Sequence, residues 1–89
     1  MARAILLNAR DNVATALTPV AAGETVEVAL EGVRYRVQVS QDIPFAHKFA
    51  LVPMSTGEAV VKYGLPIGKA TQPIGVGDHV HSHNLVTNK

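Results

Sequence analysis

The alternation of apolar and polar residues predicts a β-hairpin between residues 25 and 39. In the segment TVEVAL, Val26, Val28 and Leu30 fall on one face of an extended strand. The segment VRYRVQV continues the alternation, with valines and a tyrosine on one face and two arginines on the other. Alternation of this length is typical of half-buried strands, and Glu31-Gly32 favours a tight turn between them. The simpler interpretation is that the face with the two arginines is exposed to solvent. The alternative is that it contacts an anion or another protein.

Glycine and proline divide the rest of the chain into short segments that predict further strands. Residues 48–52 and 59–63 are typical of short strands, whereas residues 40–44 allow one helical turn at most. Residues 11–17 fit either a helix capped by Asp11 or another alternating strand. The expected fold is therefore a mainly β domain of short strands, hairpins and Gly/Pro turns.

A loose internal repeat has the pattern Pro-x-x-x-Gly-acidic-x-Val. Its three copies begin at Pro19, Pro53 and Pro73. The pattern predicts that a proline ends one strand, that a glycine forms the turn, and that a new strand follows. Uneven spacing of the copies argues against a regular solenoid and favours a compact chain that folds back on itself.

Length and composition limit the class of protein. A chain of 89 residues is long enough for one domain, which we expect to span residues 1–89. The hydrophobic fraction of 47% excludes a disordered tail, and the charged fraction of 17% is below the roughly 25% usual for soluble domains. We therefore expect apolar surface that a partner covers, either another protein or a second copy in a homo-oligomer.

Charge, cysteine content and apolar runs exclude several functions. The net charge of +1 comes without a basic block, which argues against nucleic-acid binding. Cysteine is absent, so disulfides, thiolate metal sites and cysteine nucleophiles are excluded. The apolar runs are too short to cross a membrane or to form a secretory signal. These features predict a cytoplasmic protein with no membrane contact.

Three closely spaced histidines are the strongest chemical signal. His79, His81 and His83 lie in the segment GDHVHSHNL. If this segment is a strand, residues two apart share a face with Cα atoms about 6.5–7 Å apart, and such imidazoles can hold one metal ion. A role as acid, base or hydrogen-bond donor toward a substrate is an equal alternative, and inert surface histidines are the third.

A second candidate site combines His47 with lysines. His47-Lys48 suits an anionic ligand, with the lysine as a charge clamp and the histidine as donor or general base. Lys62 and Lys69 flank a tight turn and together with Lys48 could form a modest positive patch. The simpler interpretation of His47-Lys48 is a loop histidine beside a solvated lysine. The simpler interpretation of the glycines in the turn is that they serve turn geometry alone.

Four ordered motifs resemble a known family. DNVATAL at 11–17, AHKFAL at 46–51, VKYGLPIGKA at 61–70 and GDHVHSHN at 77–84 are similar to the SAF-type N-terminal domain of the altronate/galactarate dehydratases. The resemblance covers nearly the whole chain and is strongest to the altronate branch. The small subunit of sulfolactate sulfo-lyase has similar motifs and is the competing resemblance.

The resemblance implies a fold, a reaction and a partner. The fold is a β-clip, and the reaction removes the C2 proton and the C3 hydroxyl of a sugar acid to give a 2-keto-3-deoxy acid. The sulfo-lyase performs a parallel elimination in which sulfite leaves. A large dehydratase or lyase subunit would complete the active site, and Fe2+ or Mn2+ would be held mainly by that subunit. The substrate is a small hydroxy acid.

The resemblance also implies site residues. It suggests acid/base catalysis by His47, His81 and His83, with Lys48 as the carboxylate clamp. The family pattern further marks a set of substrate-binding candidates: Lys48, Lys62, Tyr63, Asn84, Asp11 and Asn12. Ala46 departs from the pattern, because the family has glycine before His-Lys. A non-catalytic sugar-acid-binding or assembly module is the alternative, since SAF-type domains also occur in such proteins.

Overall fold

The computed structural model describes residues 3–87, which form antiparallel β-structure without a helix. The strands in this part of the chain are β1 Ala4–Ile5, β2 Val13–Ala16, β3 Thr25–Leu30, β4 Val33–Gln38, β5 Lys48–Ala50, β6 Ala59–Lys62, β7 Leu65–Ala70, β8 His79–Val80 and β9 Leu85–Thr87. They make a four-stranded sheet of order β1-β2-β5-β8, a β3-β4 hairpin and a three-stranded sheet of order β6-β7-β9. The predicted mainly β, β-clip-like class is confirmed.

The hairpin predicted from alternation is confirmed in its register. Val28 pairs with Tyr35, and the valines at 26, 28 and 37 are buried while both arginines of β4 are exposed. Glu31 and Gly32 both have positive φ, at 50° and 81°, as a two-residue type I′ turn requires. The ambiguous segment 11–17 contains strand β2, so its alternation outweighs the helix-capping signal.

The core consists of two adjoining apolar clusters. The first surrounds Phe49, which has no exposed surface, and includes the inner faces of β3 and β4. The second packs Val60, Ile74 and Val80 together near β6 and β8. Strand β5 joins them, because Phe49 points into the first cluster and the next residue, Ala50, into the second. The segment that carries His47 and Lys48 is therefore anchored at the centre of the molecule.

Each copy of the internal repeat forms the same hook-shaped turn. The glycine has a positive φ of 86° to 91°, and its N–H joins a neighbouring strand. The acidic residue accepts a hydrogen bond from the backbone N–H three residues before it. The three bonds run from Ala21 to Glu24, from Ser55 to Glu58 and from Gly75 to Asp78, at 2.7–2.9 Å.

The structure contains a fourth hook, which the sequence pattern does not reveal. It spans residues 43–47, with Ala46 at a positive φ of 70° in the glycine position and His47 in the acidic position. Pro44 occupies the position whose N–H the acid binds in the other hooks, and proline has no N–H to satisfy. His47 is thereby free of the capping role that its counterparts perform.

The four hooks reveal an internal duplication. Val20 bridges Ile43, and Met54 bridges Ile74, so the hooks associate in two pairs. The same backbone bonds recur in residues 16–47 and residues 50–78, each half containing a hook, a hairpin and a second hook. His47 of the first half therefore occupies the position that Asp78 occupies in the second.

Candidate functional site

Three histidine side chains from two parts of the chain meet at one surface. The Nδ1 atom of His47 lies 2.8 Å from the Nε2 atom of His79. The rings of His47 and His81 stack with centroids 4.2 Å apart and an interplanar angle of 17°. One ligand nitrogen of each residue lies within 4.8 Å of the others. We call His47, His79 and His81 the histidine cluster.

Sheet pairing brings the cluster together. Strand β5 follows His47 directly and runs antiparallel to β8, which begins with His79. The fourth hook fixes the backbone of His47, because its N–H donates to the Pro44 carbonyl and its carbonyl accepts from Ala16. On the other side, the side-chain oxygen of Gln41 accepts the N–H of His79.

A buried asparagine holds the turn that carries His81. The Asn84 side chain is 4% exposed and accepts the N–H of His81 at 2.9 Å. Its amide group donates to the carbonyl of His79 at 2.8 Å. Asn84 thus fixes two members of the histidine cluster through their backbone, which is a positioning role.

Lysine charge lies beside the cluster. Lys48 is half-buried, and burial, followed by repulsion from Lys62, lowers its pKa. Arg3 and Glu24 form the single ion pair among residues 3–87, so within that range no carboxylate neutralises either lysine. The Lys62 ammonium lies 5.9 Å from the ring centroid of the exposed Tyr63. This surface favours an anionic ligand.

A groove of about 330 Å³ adjoins the cluster. Its lining contains Lys48, His81 and Ser82 together with Leu85, Val86 and Thr87. The groove therefore combines a cationic side chain and an imidazole with an apolar wall, and its size suits a small molecule.

Two members of the cluster, His79 and His81, have lowered pKa values that favour the neutral imidazole. Burial lowers the pKa of His79, and the neighbouring His47 lowers it further. For the exposed His81, loss of water around the ring and then the charges of His47 and Lys48 lower the pKa in the same direction. Neutral imidazoles near pH 7 can accept a proton or bind a metal ion.

Comparison with known proteins identifies the family of this chain. Residues 2–88 match the altronate/galactarate dehydratase SAF domain. The chain belongs to that family. It is 48% identical over 84 residues to altronate dehydratase of Escherichia coli and 39% identical over 84 residues to that of Bacillus subtilis, in each case 94% of this chain.

The SAF domain spans only part of these relatives. Its matched region is 16% of the length of either altronate dehydratase. It is also 42% identical over 55 residues to (2R)-sulfolactate sulfo-lyase subunit alpha of Paracoccus pantotrophus, which covers 62% of this chain and 82% of that subunit. The SAF domain is thus homologous to a segment of one lyase and to most of a subunit of another.

Two of the predicted substrate-binding residues, Asp11 and Asn12, form hydrogen bonds with the backbone of the domain itself. The buried Asp11 carboxylate accepts the N–H groups of Tyr63 and Gly64 at 3.0 and 2.8 Å, which fixes the β6-β7 turn. The Asn12 side chain accepts from Val61 and donates to the Ala59 carbonyl, as a neighbouring strand would. Contact of Asp11, Asn12 or the equally buried Asn84 with substrate stays a prediction.

The histidines that meet differ from the predicted metal-binding set. The strand interpretation of His79 to His83 is wrong beyond Val80, because β8 ends there and residues 81–84 form a turn. His83 is tilted by 36° from His79, with ring centroids 5.2 Å apart, and it lies outside the three-residue cluster. His47 takes its place, since sheet pairing brings it to His79.

A final element of the site is the strained residue before His47. Sequence comparison with the family pattern singled out Ala46, and its φ of 70° shows that it keeps the left-handed backbone of the other hooks. The loop carrying His47 is therefore the same hook as its three counterparts, closed by alanine. The repeat pattern could not reveal this hook, because none of its four defining positions is kept. Proline, glycine, the acid and valine are replaced by Asp42, Ala46, His47 and Phe49.

In residues 3–87 the structure offers no helix that could cross a membrane.

Proposed function

We propose that this SAF domain is the accessory part of an altronate dehydratase-type hydro-lyase. It would act with a larger catalytic region or subunit to remove water from a sugar acid and give a 2-keto-3-deoxy acid. The observation that carries the proposal is the union of the histidine cluster with two unneutralised lysines, beside a groove of small-molecule size. A cytoplasmic location belongs to the same proposal.

The charge of the site supports a hydroxy acid as substrate. Lys48 is half-buried and unpaired by any carboxylate in the described range, so a substrate carboxylate would relieve its electrostatic cost. An ammonium group suits a carboxylate as a point charge. The elimination that we propose also needs a proton acceptor and a proton donor near the same substrate.

The histidines can supply these proton transfers. The lowered pKa of His81 keeps its ring neutral near pH 7, and a neutral imidazole can accept a proton. His81 is exposed beside Lys48 in the groove wall. We assign proton transfer to His81 and His47, and clamping of the carboxylate to Lys48. Lys62, whose charge acts on Lys48, and the adjacent Tyr63 would contact the same substrate.

Sulfolactate elimination is the second candidate function. The observation that favours it is the coverage of 82% of (2R)-sulfolactate sulfo-lyase subunit alpha, a chain of comparable extent. The altronate assignment is preferred because its relatives match 94% of this chain, whereas the sulfo-lyase subunit matches 62%. Both substrates are anionic hydroxy acids, so the same lysines would serve either reaction.

A chimaera tests the proposal. The matching 84-residue segment of E. coli altronate dehydratase would be replaced by this chain, and formation of keto acid from altronate would be measured. We expect the chimaera to dehydrate altronate. We expect His81→Ala to lower kcat/KM at least 100-fold, as loss of acid/base catalysis predicts, and Lys48→Met to lower kcat/KM because it removes the cation that clamps the substrate carboxylate. Arg34→Ala is the surface control, because Arg34 is exposed on β4 and belongs neither to the groove nor to the histidine cluster.

Each outcome bears on the proposal. A folded chimaera without activity, or one whose Lys48→Met and His81→Ala variants work as well as the parent, would overturn it. Turnover of sulfolactate but not altronate, in the equivalent chimaera with the sulfo-lyase, would transfer the assignment to the second function. Purified protein and circular dichroism establish folding in every case.

A further inference from the structure

We infer that His47, His79 and His81 bind one divalent first-row transition metal ion. The inference rests on the proposed function only for its catalytic purpose, and metal binding itself is tested without substrate. A ring nitrogen that holds a metal ion cannot also accept a proton, so in the metal-bound protein His47 and His81 would act as ligands rather than as bases. It differs from the ligand set that the H-x-H-x-H pattern suggests, because it replaces His83 with a histidine 32 residues before His79.

The spacing of the nitrogen atoms fits a shared ion. Metal–nitrogen bonds of about 2.1 Å place two ligands at a right angle about 3.0 Å apart and two opposite ligands about 4.2 Å apart. The observed contact between His47 and His79 is 2.8 Å, and all three ligand atoms lie within 4.8 Å. The ring of His81 is exposed, so it can turn to bring its nitrogen closer to the other two.

The chemistry of the ligands selects the class of metal. Three imidazoles suit Zn2+, Fe2+, Ni2+ or Cu2+ better than Mg2+ or Ca2+, which prefer oxygen. Three protein ligands leave coordination positions open, as in catalytic rather than structural sites. Since His81 also lines the groove, a carboxylate or hydroxyl oxygen of a small ligand could complete the coordination.

The supporting contacts hold the ligands in place before a metal arrives. Asn84 fixes the backbone of His79 and His81, and the fourth hook fixes the backbone of His47. A site whose ligands are held by other hydrogen bonds needs less ordering when the ion binds. Without a metal, the 2.8 Å contact requires that one imidazole donates an N–H and the other accepts it.

Cobalt provides a direct test on the chain of 89 residues. Co2+ is added to metal-free protein, and its visible absorption bands report coordination by imidazole. We expect one equivalent to bind, and expect His47→Ala and His81→Ala to weaken binding at least 100-fold. His83→Ala is the matched variant, and we expect it to bind within about threefold of the parent. Since His81 is exposed, its replacement leaves the fold intact, and circular dichroism verifies this for all variants.

Two results would overturn the inference. One is the absence of Co2+ bands and of Zn2+ binding heat at millimolar metal. The other is a loss of affinity in His83→Ala that equals the loss in His47→Ala, which would favour the set His79, His81 and His83. Failure here with an active chimaera leaves the proposed function intact. If the chain binds metal but the chimaera is insensitive to Lys48→Met and His81→Ala, the proposed function is overturned and the metal site is retained.

Discussion

The Nδ1 atom of His47 and the Nε2 atom of His79 are 2.8 Å apart, although 32 residues separate them in the sequence. His47 ends the last hook of the first duplicated half, and His79 follows the last hook of the second. The contact between halves is therefore a product of the duplication, which places the two hooks beside the antiparallel β5-β8 pair. One of the two imidazoles must be neutral for this hydrogen bond to form.

The first prediction concerns the pKa of His79. In metal-free protein we expect it to titrate below its ordinary value of 6.5, because burial and then the charge of His47 disfavour the imidazolium. Side-chain NMR resonances followed from pH 8 to pH 4 measure the midpoint. The same shift predicts that stability is highest above pH 6.5 and decreases as the pH falls through that value, because the unfolded chain takes up the proton first.

His47→Gln is the informative variant for this titration. It removes the charge of His47 but keeps a polar side chain, so the pKa of His79 should rise part of the way back to 6.5. The rise stays partial because burial is the larger cause. An unchanged midpoint in His47→Gln would contradict the electrostatic coupling, and a parent midpoint at or above 6.5 would contradict the shift itself.

The fold could be predicted from sequence where the pattern is local. The β3-β4 hairpin follows from strict alternation and a Glu31-Gly32 turn, and both are confirmed. The sheet order β1-β2-β5-β8 could not be predicted, because it depends on pairing between distant hooks such as Met54 with Ile74. Short strands carry too little sequence information to specify such long-range partners.

The sequence predicted which residues belong to the candidate site but not which histidines lie together. His47, Lys48 and His81 were candidates from sequence, and they lie together at one surface. The spacing of two residues placed His83 on the same strand face as His79. Strand β8 in fact ends at Val80, and nothing in the H-x-H-x-H sequence indicates that end. The structural partners of Asp11 were also hidden, since they are backbone groups more than 50 residues away.

The second prediction is that Ala46→Gly stabilises the protein. Ala46 has a φ of 70°, and the left-handed region costs a residue with a side chain about 1–2 kcal/mol. Glycine loses about 0.5–1 kcal/mol in unfolded-state entropy, so the net gain should be about 0.5–1 kcal/mol. A thermal melt should show a rise of a few degrees for a domain of this size.

The matched control is the reverse change in an equivalent hook. Gly57 has a φ of 90° and no atom within 4 Å of where its Cβ would lie, so Gly57→Ala tests backbone strain without a clash. We expect it to lower stability by a similar amount. If Ala46→Gly lowered the melting temperature while Gly57→Ala left it unchanged, the strain argument would fail.

The third prediction is that Asp11→Asn destabilises the fold by about 1–3 kcal/mol. Both carboxylate oxygens accept backbone N–H groups of the β6-β7 turn, and an amide would present a donor to one of them. Chemical denaturation measures the loss, and amide exchange at Tyr63 and Gly64 should become faster. Asp42→Asn is the control, because Asp42 uses one oxygen, toward Ala22, that asparagine retains. Equal effects of the two substitutions would argue against this account.

The fourth prediction separates positioning from ligation at Asn84. Asn84→Asp keeps an oxygen for the N–H of His81 but faces the carbonyl of His79 with a second oxygen. We expect lower stability and at least tenfold weaker Co2+ binding, typical of changes that support metal ligands. Asn84→Ser, which can accept one hydrogen bond without adding charge, should recover part of the affinity. Unaltered Co2+ affinity in Asn84→Asp would show that the turn does not position the cluster.

The fifth prediction follows from the difference between the fourth hook and the hook that Glu58 closes. Glu58 accepts the N–H of Ser55 at 2.9 Å, whereas His47 faces Pro44, which has no N–H. Glu58→Ala should therefore lower stability by about 0.5–1.5 kcal/mol without affecting Co2+ affinity, because it removes a hook-closing bond far from the cluster. His47→Ala should abolish tight Co2+ binding at a smaller cost in stability, since it leaves no hook N–H unsatisfied. Denaturation curves and Co2+ titrations on both variants measure the two effects. If His47→Ala unfolded more easily than Glu58→Ala and retained its Co2+ affinity, His47 would close its hook as the acidic residues do.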